Sequence, residues 1–205
     1  MWIVCLILCV IALGVLEWHR RLEIAVGDLL IGVEGGQEIP KLQQIRELAE
    51  AGICFKTAEL EHDFIFDFSN NQYYASHPYY ALLAIAGARG MLNCVSGISD
   101  RECAYGTDTY SRILQGLADI SGLQVEHIKC RDTYHMDFYL NGRRRRWRAK
   151  KRRDWVDVNL ARYLNHFIQG DKRFFTDNIH EGVIYYFGTV EAARDLNRRF
   201  GLELR

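Results

Sequence analysis

The chain has no CxxC pair, no HExxH helix, no glycine-rich phosphate cradle and no internal repeat. Each absence removes a chemistry. Without paired cysteines or companion histidines, the six cysteines predict neither a zinc centre nor a disulfide framework. Cys54, Cys94, Cys103 and Cys130 are scattered, and free thiols fit a reducing compartment. In a periplasmic body, Cys94 and Cys103 would instead be the candidate bridge. No metal and no cofactor are expected, because no motif for either is present. Net charge is absent too: Lys and Arg total 26 and Asp and Glu total 26. Whole-chain charge therefore predicts no partner, and only its distribution informs.

What is present begins with a charge-free apolar run, Met1 to Leu16, closed by Glu17-Trp18-His19-Arg20-Arg21. At about 1.5 Å of rise per residue this reaches the lower end of what crosses a hydrocarbon core. A cleaved signal peptide would carry a basic segment before the run, and Met1-Trp2-Ile3 supplies none. Residues 1–21 are read as a single membrane anchor. Arg20 and Arg21 on its C-terminal flank put residues 22–205 on the cytoplasmic side.

Beyond the anchor the pattern predicts one α+β domain, helices first and a mostly antiparallel sheet after. Helices are expected over 37–51, 78–88, about 103–120, 160–169 and 190–200, the last with Thr189 as N-cap. Strands are expected over 59–68, 123–130, 133–140, 155–158 and 182–187, with Asn141-Gly142 as a tight turn.

Two stretches stand above this background. In the first, Cys103 stands where a helix is expected to begin, and unpaired N–H groups there stabilise a thiolate. His135 follows on a strand whose alternation places it with Asp137 and Tyr139, away from Met136, Phe138 and Leu140. Asp157 follows again, with Asn159 as the substitute orienter if the register slips by two. A nucleophile, its base and the base's orienter can be built from this order. His127 is a rival base by distance, and Asp137 a weaker orienter. Asn93 is a candidate side-chain donor to an oxyanion.

The second is the basic run Arg143, Arg144, Arg145, Arg146, Trp147, Arg148, Ala149, Lys150, Lys151, Arg152, Arg153. Such a block binds polyanions, and Trp147 can stack on a base or sit at headgroup level. Beside an anchor, anionic lipid is the simplest partner and nucleic acid the next.

The pieces Cys103 with Tyr110–Leu117 and Gly122, then His135–Gly142, then Trp155-Val156-Asp157, resemble the transglutaminase-like branch of the papain-like cysteine hydrolases. The likeness covers about residues 100–160. It implies a helix packed on an antiparallel sheet, with Cys103 as nucleophile, His135 as base and Asp157 as orienter. It further implies a thiol hydrolase or acyltransferase acting on a peptide or amide bond of a peptide or protein substrate. The alternative is a non-catalytic member that binds lipid, nucleic acid or a protein through the basic hairpin.

Overall fold

Val183-Ile184-Tyr185-Tyr186-Phe187 is apolar or aromatic at every position, the pattern of a strand covered on both faces. It forms the middle strand of an antiparallel sheet. A computed structural model of the chain describes residues 40–67, 77–98, 108–150, 156–178 and 182–205. Its elements are α1 (Lys41–Glu50), α2 (Ala58–Asp67), α3 (Pro78–Ala88), β1 (Val95–Ile98) and α4 (Thr109–Ser121). There follow β2 (Val125–Cys130), β3 (His135–Leu140), β4 (Arg143–Arg148), and α5 (Asn159–Leu164) with a 3-10 turn at Asn165–Phe167. The chain closes with β5 (Arg173–Asp177), β6 (Val183–Gly188) and α6 (Val190–Phe200).

The described residues form an α+β fold in which helices pack on two antiparallel sheets, ordered β1-β6-β5 and β2-β3-β4. Side chains alternate across a strand, so β6 serves two cores at once. Ile184 and Tyr186 join Leu48, Leu82, Leu83 and Leu196 on one side. Val183 and Tyr185 join Leu114, Leu117, Phe138 and Leu160 on the other. Helix α3 lies so close to β1 that a Cβ on Gly97 would stand 2.7 Å from the Ala84 carbonyl oxygen. Only glycine permits that approach.

Several expectations need correction. Residues 59–67 form helix α2, not a strand. The Leu60 amide donates to Thr57 Oγ1 at 3.3 Å, capping the turn, and Glu59 and Glu61 occupy the first turn, where the positive helix end favours acids. Val156 to Val158 form no strand and lead into α5. The arginine stretch is itself a strand, β4, and β1 and β5 were not foreseen. Helix α4 starts at Thr109, with Asp108 as N-cap. Cys103, expected to open it, lies outside the described residues. So does the expected anchor, residues 1–21. Among the described residues no helix is long and apolar enough to cross a membrane.

Candidate anion-binding face and the His135 neighbourhood

The β3–β4 hairpin turns on Asn141 and Gly142, at φ 49° and 72°. That backbone suits a two-residue turn matched to strand twist. It fixes the register His135↔Arg148, Asp137↔Arg146 and Tyr139↔Arg144. Met136, Phe138 and Leu140 are buried in the core, as their alternation requires. His135, Asp137 and Tyr139 occupy the other face, with Arg144, Arg146 and Arg148 opposite them and with Lys129 and Glu126 on β2 alongside.

Asp137 is the hub of this face. Arg131 donates to it from Nε at 2.8 Å, Arg146 Nε at 3.0 Å, and Arg144 lies at 3.7 Å. The Arg146 hydrogen bond, with Arg131 behind it, holds its carboxyl below the usual carboxylate range. One carboxylate faces three guanidinium groups, so the cluster keeps a positive surplus. The arginine side chains of Arg144 and Arg146 remain about two-thirds exposed (63% and 65%).

The inward side of β4 differs. Trp147 is buried, its ring 4.9 Å from Tyr110, so its indole packs the core rather than offering a stacking surface. Arg145 turns under the sheet, its guanidinium 4.5 Å from the Phe167 ring centre and its buried Nε without a hydrogen-bond partner among the described residues. Arg143 and Lys150 are exposed. Lys151, Arg152 and Arg153 lie outside the described residues.

His135 opens β3. Its Nδ1 lies 2.9 Å from Asp132 Oδ2, and Asp132 Oδ1 also accepts the amides of Tyr134 and His135 at 2.7 and 2.9 Å. The Tyr134 amide, and next the His135 ring, lower the Asp132 pKa. Asp132, three residues ahead in the β2–β3 turn, thus orients the imidazole. An acid that caps its own turn and then meets the next strand's first side chain is a local signal the sequence does hold.

Asp157 is committed elsewhere. Its Oδ2 accepts the Lys150 amide at 2.7 Å, and its Oδ1 accepts the Asn159 amide and side-chain nitrogen at 3.0 and 2.6 Å. Asn159, the other orienting candidate, is thus a hydrogen-bond partner of Asp157. The Asp157 amide donates to the Tyr110 hydroxyl at 2.8 Å. Tyr110, in the first turn of α4, also lines a narrow recess with His135. His135 and Asp157 are thus both neighbours of the N-terminal end of α4. Asn93 accepts the Cys54 amide and donates to the Gly52 carbonyl, each at 3.1 Å, bracing that loop. The rival base His127 lies at an irregularity of β2, its ring edge-on to Tyr139.

Away from this face, a groove of about 750 Å³ runs between α3, β1 and α4, lined by Ile85, Gly97, Ile113 and Gly116 with Lys56 and Arg89. Among the described residues no cluster of His, Cys, Asp or Glu could hold a metal ion. Comparisons with protein-family models, curated proteins and solved structures return no match to this chain.

Proposed function

We propose that this protein is a membrane-tethered binding protein whose arginine strand, β4, holds an anionic partner against the outer face of the β2-β3-β4 sheet. The tether is the N-terminal segment 1–21, with its charge-free run Met1–Leu16. The observation that carries the reading is the alignment of Arg144, Arg146 and Arg148 on one exposed face, joined by Arg131 and Lys129, with Asp137 neutralising only part of the charge. Arginines held by an ordered strand lose less freedom on binding than arginines on a loose loop, and guanidinium forks match carboxylate and phosphate oxygens. The test uses the full chain, wild type and Arg143→Glu/Arg144→Glu/Arg148→Glu, a variant that leaves the Arg146–Asp137 pair intact. Binding to phosphatidylserine vesicles, a single-stranded oligonucleotide and polyglutamate is measured at low and physiological salt. Binding of at least one polyanion that weakens with salt and is lost in the variant is the expected result. Binding indifferent to both changes rejects the reading.

A second reading is a transglutaminase-like thiol hydrolase or acyltransferase. Cys103 would attack a peptide or amide carbonyl with His135 as base, in a papain-like arrangement of α4 on the hairpin sheet. It draws support from Tyr110 in the first turn of α4, which accepts the Asp157 amide and lines a narrow recess with His135, while Cys103 lies six residues before Thr109 in the sequence. In this reading Asp132 takes over as orienter of His135, and Asp157 ties the segment after β4 to Tyr110 at the start of α4. Labelling by an alkylating probe near neutral pH, lost in Cys103→Ala and slowed in His135→Ala, would bear it out. Labelling unchanged by either substitution would end it.

A further inference from the structure

The arginine strand presents more than charge. Among the described residues strand β4 is the edge of its sheet, and the hairpin register decides which backbone groups it leaves open. Hydrogen-bonded and non-hydrogen-bonded pairs alternate along an antiparallel ladder. The Ala149 amide donates across to the Tyr134 carbonyl at 2.8 Å, so counting back makes Trp147, Arg145 and Arg143 the residues bonded to β3. Arg144, Arg146 and Arg148 therefore turn their N–H and C=O groups away from β3, along the open edge. Among the described residues no backbone group answers them. Among the described residues, the three that carry the outward guanidinium groups are thus the three whose backbone donors and acceptors along β4 have no backbone partner.

Resting on the reading of β4 as the anion-binding element, we propose that its partner is an extended acidic peptide that adds to β4 as a fourth strand, with Asp or Glu at every second position. Successive arginines on one face are two residues apart, about 6.6 Å. Alternate side chains of an added strand have the same spacing and stand directly opposite, about 5 Å away at Cβ. An acid at each such place meets a guanidinium group while its backbone completes the ladder, as in other strand-addition complexes. A lipid surface or a nucleic acid can meet the arginines, but neither offers regular donors for the free carbonyls. Arginine rows also guard sheet edges against pairing. Here the guard is selective: it repels a second copy of β4 and admits a strand of opposite charge.

The test measures fluorescence anisotropy of a labelled peptide of alternating glutamate and threonine on the full chain. Two further peptides carry backbone N-methyl groups, one at the glutamates, whose N–H groups would face β4, the other at the threonines, whose N–H groups would face solvent. Both keep the same charge. The expected result is binding by the parent peptide, weakened at least about tenfold by methylation at glutamate and little changed by methylation at threonine. Equal affinities for all three would overturn strand addition while leaving a charge-driven partner in place. Failure of every polyanion, peptide included, would overturn the arginine-strand reading itself.

Discussion

Asp157 shows how a residue chosen for chemistry can be occupied by architecture. Its buried carboxylate accepts three N–H donors from Lys150 and Asn159. Asp157→Ala would strand those donors, and each buried unpaired group costs about 1–3 kcal/mol. A loss of about 3 kcal/mol in urea unfolding is expected, and an unchanged midpoint would show that water replaces the carboxylate freely. Asp137 acts by charge. Its pKa is depressed by Arg146 and Arg131, so the unfolded chain binds its proton first as pH falls. The stability it contributes is fully present above the ordinary carboxylate value near 4 and is lost as pH drops through the lowered native value. The stability gap between wild type and Asp137→Asn should therefore be flat from about pH 5 to 8 and close under acid. A gap that ignores pH would mean the arginines do not need the charge. Among the thiols, burial pushes Cys94 up to about 12, whereas Cys54 is exposed. Mass spectrometry after iodoacetamide treatment at pH 8 should find Cys54 modified and Cys94 spared; rapid modification of Cys94 would show that its surroundings open.

Elements differed in how far they could be read from residues. The first half of the hairpin is legible because two signals agree, alternation in His135–Leu140 and the Asn141-Gly142 turn, whereas the charge of Arg143–Arg148 conceals the returning strand. Helix α6 was equally plain, since the Ala192 amide does donate to Thr189 Oγ1, at 3.2 Å. Helix α2 was misread because Leu60, Phe64, Phe66 and Phe68 mimic a period of two, while the cap at Thr57 and the acids after it decide otherwise. β5 was hidden by polar ends, Arg173 and Asp177. Its Phe174 and Phe175 face different cores, a division that only the sheet's place between helices explains. The partner of His135 was missed for another reason: a turn side chain bends back in a way that strand parity does not express. β1 was invisible because Val95-Ser96-Gly97-Ile98 has weak strand character, and what holds it is contact with α3. Gly97→Ala tests that contact. The added methyl would press on the Ala84 carbonyl and the Ala88 amide, at 2.7 and 3.1 Å, with a cost of about 1–3 kcal/mol typical of overpacking. A neutral outcome in thermal unfolding would mean α3 can slide on β1.

At the scale of the molecule, β6 ties the two cores together, because neighbouring residues along it belong to different ones. Neither core can be dismantled without exposing half of that strand. Unfolding should therefore be a single cooperative event. Tyrosine near-ultraviolet and backbone circular dichroism should give coincident urea transitions, and two separated transitions would refute the coupling. The same coupling makes β6 intolerant of length changes: one inserted residue would exchange the contents of both cores together.

The row of arginines along the rim of the hairpin sheet has a colloidal consequence. Two copies meeting rim to rim would bring guanidinium against guanidinium, so the chain resists templating its own stacking at the low ionic strengths that leave repulsion unshielded. Concentrated salt removes that protection. Crowded solutions of this chain should accordingly be clearest in dilute buffer and turn cloudy as electrolyte is added, and storage conditions should be chosen from that end.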